Sequence, residues 1–183
     1  MSDNWVFLRE LLSRPKQVSA IAPSSRWLAR AMARDIGPQT GQVVEFGPGT
    51  GRLTEGILAA GVLPHNLALF ELSADFATHL RKKFPGVTVF NDGAEKSASL
   101  LATKAGAVIS GLPLLSMPPG LRESIVRAAF DVLRPDGIFV QFTYGPRPPV
   151  SDAQIARLGL QVRQTAHVWA NLPPARVFTF RRA

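Results

Sequence analysis

Between Gln42 and Tyr144 the chain switches repeatedly between two hydrophobic periods, and that alternation narrows the folds open to it. Short β-rich runs fall at Gln42–Phe46, Asn66–Glu71, Val87–Asn91, Ala107–Ser110 and Gly137–Tyr144. Helical patterns separate them at about Arg52–Ala60, Ala74–Phe84, Ala94–Lys104 and Leu121–Leu133. A helix between two strands gives the chain room to cross over, so successive strands lie parallel. Arg134-Pro135-Asp136-Gly137 stops the last helix and turns into the fifth strand. The end of the chain differs. Leu160–Trp169 and Ala175–Arg181 are joined by five residues, Ala170 to Pro174, too few for a crossover helix, which predicts an antiparallel hairpin. The expected fold is α/β: a seven-stranded sheet of five parallel strands plus a C-terminal antiparallel hairpin, with N-terminal helices before it. Residues 1–37 read as those helices and 38–183 as the sheet domain.

Composition removes several function classes. A chain of 183 residues fits one domain with a sizeable core. Cysteine is absent, which excludes disulfides, thiolate catalysis and cysteine metal sites together. His65, His79 and His167 sit in unrelated segments, so no metal is expected. No basic-then-apolar leader and no run of bilayer length is visible, which gives a cytoplasmic expectation. The formal charge of +8 and isoelectric point near 11 favour polyanionic partners such as anionic lipid, nucleic acid or phosphorylated substrates.

The most specific motif is Glu45-Phe46-Gly47-Pro48-Gly49-Thr50-Gly51, where the first strand gives way to a helix. Glycines there permit positive φ and let backbone N–H groups approach a ligand. A dinucleotide fingerprint needs G-x-G-x-x-G, but position 52 is Arg, so the pattern is acid-x-G-x-G-x-G. An acid two residues before the first glycine repels phosphate and suits a cationic amino group, which S-adenosylmethionine carries. Glu71, at the end of the second strand, is placed to accept both ribose hydroxyls. Asp92, after the third strand, is placed to meet the adenine amino group, with Gly93 and Ala94 at the ring edge. Ligands of such sheets bind at the carboxyl ends of the strands, and all three acids fall there. Leu72, Ser110 and Gly111 complete the expected cofactor set.

Five parallel strands closed by an antiparallel pair resemble the sheet of Rossmann-like methyltransferases. Several further segments resemble the bacterial phospholipid N-methyltransferases: Ser19-Ala20-Ile21-Ala22-Pro23-Ser24-Ser25 with the helix Arg26–Arg34, Ser110-Gly111-Leu112-Pro113-Leu114-Leu115-Ser116-Met117-Pro118, Gln141-Phe142-Thr143-Tyr144-Gly145 and Asn171-Leu172-Pro173-Pro174-Ala175. The resemblance covers essentially the whole chain. It implies methylation of the phosphatidylethanolamine amine toward phosphatidylcholine, with S-adenosyl-L-methionine as methyl donor. The family is related to the ribosomal-RNA adenine dimethyltransferases, the alternative reading. Those enzymes carry N-[LI]-P-[YF] after the fourth strand, with the aromatic stacked on a flipped adenine. Here Leu114 stands at the aromatic position, and the chain ends at the last strand without a helical domain to grip RNA. Nucleic acid is therefore not the expected partner.

The N-terminal stretch adds a membrane expectation. On a helical wheel Trp5, Phe7, Leu8, Leu11 and Leu12 share one face, with Arg9, Glu10, Ser13 and Arg14 opposite. Such a profile fits a helix lying in an anionic membrane interface, and equally one covering a soluble core. In the next helix Arg26, Arg30 and Arg34 form a stripe opposite Leu28, Ala31 and Met32, able to hold lipid phosphate or simply solvated. The expectation is a protein held peripherally at the inner face of the membrane. Expected substrate contacts are Ser24, Ser25, Arg26, Arg30, Leu112, Pro113, Tyr144 and Arg147. Tyr144 and Ser110 are the expected catalytic residues. A methyl acceptor amine must first lose a proton, and the acceptors open to it are the Ser110 hydroxyl, the carbonyls of 110–112, the Tyr144 hydroxyl, or the substrate phosphate through water.

Overall fold

The computed structural model describes residues 25–183; the expected helix at 1–14 and Ser24 lie outside the described residues. Helix α1 (Arg26–Met32) leads into β1 (Val43–Phe46), α2 (Arg52–Ala59), β2 (Leu67–Phe70), α3 (Ala74–Lys83) and β3 (Thr88–Phe90). Then come α4 (Ser97–Leu100), β4 (Ala105–Ser110), α5 (Pro119–Val132), β5 (Leu133–Thr143), α6 (Asp152–Arg157), β6 (Leu160–Val168) and β7 (Ala175–Arg182). The seven strands form one sheet in the order β3-β2-β1-β4-β5-β7-β6. Neighbours among β1 to β5 are parallel, while β7 runs antiparallel to both β5 and β6. The order turns back between β1 and β4, the switch point where open α/β sheets bind ligands.

Alternate residues of each strand feed different halves of the core. Val44, Phe46, Ala68, Phe70, Val108 and Phe139 pack with Leu121, Ile125 and Ala129 of α5. Val43, Leu67, Leu69, Ala107, Ile109 and Val140 pack with Leu28 and Met32 of α1, Leu53 and Ile57 of α2 and Leu80 of α3. Both faces are covered by helices, which is why the parallel strands read as continuous apolar runs. Glu45 shares its face with Val43 and therefore points under α2. Leu28, Ala29, Met32 and Ala33 are the buried face of the α1 segment, leaving Arg26 and Arg30 exposed.

Three elements depart from expectation. The helix expected at Ala94–Lys104 is a 3-10 turn at Ala94–Lys96 followed by one α turn at Ser97–Leu100. The chain is needed in the sheet sooner: Ala105 pairs with Leu133, and Gly106 donates to the Gln42 carbonyl at 2.8 Å. Residues 134–137 leave the ladder as an irregularity within β5, rather than preceding it. Helix α6 was not anticipated at all. Ser151 caps it, with its hydroxyl accepting from Gln154 N–H, while Gln154 Oε1 accepts from Ser151 N–H.

Candidate functional site

The β1–α2 loop closes on the end of β4 because a glycine on each side, Gly47 and Gly111, permits it. Gly47 has φ 66°, and a Cβ there would lie 2.4 Å from Leu112 Cδ2. Gly111 meets it from the other side, since its Cβ would lie 2.6 Å from the Gly47 carbonyl oxygen. The loops after β1 and β4 therefore touch backbone to backbone. Gly49 (φ 54°) differs: a Cβ would meet nothing within 4 Å, so its surroundings are open.

Glu71 anchors the far side of this loop. Its buried carboxylate accepts Gly49 N–H at 3.0 Å on one oxygen and Ser73 N–H at 2.8 Å on the other. Burial raises its pKa, and these backbone donors hold part of that rise back. Each oxygen keeps a lone pair, so a vicinal diol can still be received. Asn91 Nδ2 donates to the Glu71 and Leu72 carbonyls at 2.9 and 3.1 Å, tying the end of β3 to that of β2.

Glu45 lies fully buried at the end of β1. Thr54 Oγ1, from the first turn of α2, donates to Glu45 Oε2 at 2.7 Å. Glu45 Oε1 is buried with no partner among the described residues. Desolvation pushes the Glu45 pKa up to about 8; the Thr54 hydrogen bond opposes the rise and the nearby Glu71 carboxylate adds to it. A nearby cation would lower this pKa again and restore the carboxylate.

On β3's side Asp92 forms an ion pair with Lys96 at 2.6 Å and is only partly buried. Gly93 and Ala94 are buried behind it, and the Glu95 carboxylate folds over Gly93, where a Cβ would sit 2.0 Å from Glu95 Oε2. After β4 the Ser110 hydroxyl is buried and accepts Leu112 N–H at 3.3 Å. Gln141, facing Ser110 across the ladder, donates from Nε2 to the Leu112 carbonyl at 3.0 Å, and its Oε1 has no partner among the described residues. The Leu112 side chain is buried against Gly47; Pro113 is half-buried.

A second cluster stands at the same sheet edge. The Tyr144 ring packs edge-on against Phe142 at 5.4 Å, and its hydroxyl is buried without a firm hydrogen bond. Burial raises its pKa, with the Asn171 side chain beside it opposing the rise. Asn171 is otherwise committed: Oδ1 accepts Ser25 N–H at 3.0 Å and Nδ2 donates to the Pro173 carbonyl at 2.8 Å. Ser25 in turn caps α1 by accepting Leu28 N–H. The structure thus gathers Glu45, Gly47, Gly49, Glu71, Ser110, Gly111 and Leu112 at the ends of β1, β2 and β4. Separately, it gathers Ser25, Tyr144 and Asn171. Arg147 is exposed on the loop after Tyr144. Arg26 and Arg30 instead line a cavity of about 970 Å³ between α1 and α2, together with Trp27, Arg34, Arg52 and Glu55. Glu45 and Glu71 are not among its described lining residues. The chemistry follows the strand ends, where the acids converge, rather than that cavity. Among the described residues no group of His, Asp and Glu is arranged to hold a metal, and no helix is long and apolar enough to cross a membrane.

Sequence reasoning gave no role to Thr54, Gln141 or Asn171, although Gln141 and Asn171 stand in segments that carry the family resemblance. Thr54 had no such signal.

The described fold is shared widely among solved structures. A TehB-like S-adenosylmethionine-dependent methyltransferase from Corynebacterium glutamicum superposes with a TM-score of 0.66 at 14% identity, over 98% of this chain and 100% of that one. The glycopeptide N-methyltransferase MtfA complexed with S-adenosyl-L-methionine gives 0.65 at 17%, over 88% and 96%. A putative rRNA methylase from Clostridium thermocellum gives 0.56 at 18%, over 79% and 88%. No protein-family model matches the chain. The fold is that of class I S-adenosylmethionine-dependent methyltransferases, and buried acids with spare acceptor oxygens stand at the ends of β1 and β2. More narrowly, the ornithine lipid N-methyltransferase of Singulisphaera acidiphila is 33% identical over 155 residues, covering 80% of each chain. The protein belongs to that enzyme's family of lipid N-methyltransferases.

Proposed function

We propose that this protein N-methylates the headgroup amine of a membrane lipid. The observation that carries the reading is the kinship with a lipid N-methyltransferase, joined to a site whose acids suit the methyl donor. Phosphatidylethanolamine, taken toward phosphatidylcholine, is the substrate implied by the sequence resemblance; ornithine lipid is the substrate in the relative's name. Both present a primary alkyl amine at a bilayer surface. In this reading residues 38–183 carry out methyl transfer, while 1–37 engage substrate and the cytoplasmic face of the membrane.

S-adenosylmethionine supplies an electrophilic methyl on a sulfonium sulfur. Glu45 would hold its ammonium and Glu71 its ribose diol. Bound there, it would supply that methyl to an amine whose proton has passed to water, and would depart as the neutral thioether. Alignment supplies most of the rate in such a displacement. With its pKa raised, Tyr144 stays a neutral phenol, so its oxygen orients the amine by accepting an N–H rather than removing a proton as phenolate. Gln141 holds the Leu112 carbonyl in place at the substrate side. Adenine in RNA finds no stacking platform here, because Leu114 is 1% exposed within the core.

The test is methyl transfer from labelled S-adenosylmethionine to phosphatidylethanolamine, ornithine lipid and total RNA, the lipids presented in detergent micelles. Label in either lipid supports the reading and separates its two substrates. Label in RNA alone, or in none, overturns it.

A further inference from the structure

Four of the six large apolar side chains that stand exposed among the described residues share one edge of the molecule. Trp169 is 73% exposed and Leu172 is 81% exposed, both in the β6–β7 turn, while Leu115 and Trp27 are about half exposed. The register explains why they meet. Val168 pairs with Ala175 and Thr143 with Arg176, so the turn at 169–174 projects at the edge where β5 ends and Tyr144 sits. Leu115, in the β4–α5 loop, reaches Gly145: a Cβ there would lie 3.1 Å from Leu115 Cδ1. Arg176 donates to the Gly145 carbonyl at 3.3 Å, and Asn171 holds Ser25, which starts the helix bearing Trp27. The His167 ring packs at a tilt against the Trp169 indole, with centroids 3.8 Å apart.

Charge singles out the occupant. Segments 111–119, 144–151 and 167–176, with the start of α1, build this edge without an acidic residue, Asp152 standing just beyond. They carry Arg26, Arg147 and Arg176, while Arg34, farther along α1, is paired with Asp35 at 3.7 Å. Apolar tips, indoles among them, protruding from a predominantly basic rim match an anionic bilayer, where indoles favour the headgroup level and guanidiniums meet phosphate. We propose that this rim, led by Trp169 and Leu172, is a membrane-docking surface that seats the Tyr144 edge of the site on an anionic lipid bilayer. It rests on the lipid-methylation reading, and it places an anchor in the sheet domain itself, apart from any contribution of residues 1–24.

The experiment uses the full chain and vesicles of phosphatidylglycerol and phosphatidylcholine. In the Trp169→Ala/Leu172→Ala variant, cosedimentation should weaken by about tenfold or more. S-adenosylmethionine affinity and methyl transfer to micellar lipid should stay at wild-type level, while transfer to vesicle lipid falls. Binding to vesicles as strong as wild type overturns the proposal. A Trp5→Phe/Trp27→Phe chain, with Trp169 as its single tryptophan, gives a second readout: brominated lipid should quench its emission. Absence of quenching overturns the docking surface even if the double variant folds poorly, and assigns the rim to a protein partner instead. Failure of the wild type to methylate any micellar lipid strikes the functional reading alone, because no vesicle takes part in that assay.

Discussion

A carboxyl group buried as deeply as Glu45 holds its proton to about pH 8 unless a neighbour replaces the hydration it has lost. Thr54 replaces part of it, and in the proposed reading the cofactor's ammonium replaces more. Since the form that binds a cation is the carboxylate, binding below that pKa must first release a proton. Affinity for S-adenosylmethionine should therefore rise by about tenfold per pH unit up to pH 8. Above it the ligand's own amino group begins to lose charge, and affinity should decline. Calorimetry in buffers of different ionisation heat reads the proton release directly. Thr54→Val removes a hydrogen bond to a charged acceptor worth about 1.5–3 kcal/mol, so binding at pH 7 should weaken by roughly tenfold or more. Its pH profile should also move to higher pH, and Thr54→Ser should restore both. A profile unmoved by Thr54→Val would detach Glu45 from the cofactor. At Tyr144 the expectation has the opposite shape. Its hydroxyl is buried without a firm partner, so Tyr144→Phe should leave thermal stability unchanged or slightly higher. Turnover should fall much more than cofactor affinity if the oxygen orients the amine. Wild-type turnover would reduce Tyr144 to a packing residue.

Elements whose hydrophobic period was strong were readable, and those set by contacts distant in sequence were not. Strands β1, β2 and β3 and the terminal hairpin fall within a residue or two of expectation, because short β-rich apolar runs bounded by turn residues mark them. The three acids were visible for the same reason, standing at or just past strand ends. The overlong helix expected at Ala94–Lys104 fails because Gly106 must slot beneath Thr40, whose carbonyl oxygen would lie 2.2 Å from a Cβ. That fit draws the chain into β4 early, and local propensity contains no trace of it. Thr54, Gln141 and Asn171 were hidden likewise, their partners lying 9, 29 and 146 residues away in the chain. Helix α6 is the reverse case, for Ser151-x-x-Gln154 spells a capping box that local reading contains. Ser151→Ala should cost about 1 kcal/mol through that cap. In melting experiments this lowers Tm by roughly 2–4 °C, with cofactor affinity unchanged. A change in cofactor binding would mean that α6 reaches the site.

At the scale of the whole molecule, charge is distributed unevenly as well as in excess. The segments around Tyr144 carry Arg26, Arg147 and Arg176 without acids, while Asp131 and Asp136 lie at the end of α5 and the start of β5, at the other edge of the sheet. A docked edge of this kind has two attractive components that salt separates. Each arginine held near an anionic surface contributes about 1 kcal/mol, and this part fades as the screening length falls from about 10 Å at 0.1 M to 3 Å at 1 M. Burial of an indole or leucyl side chain contributes about 1.5–3 kcal/mol each at most, and salt leaves it largely intact. Cosedimentation with anionic vesicles should therefore fall steeply between 0.1 and 1 M salt and then level off above zero. Zwitterionic vesicles should show the residual level at every salt concentration, because only the apolar component acts there. The Trp169→Ala/Leu172→Ala variant should lower the plateau yet keep the salt-dependent part, whereas Arg26→Gln/Arg147→Gln should do the opposite. Binding that vanishes completely at 1 M salt would make the interaction purely electrostatic, and the protruding side chains would then be spectators to it.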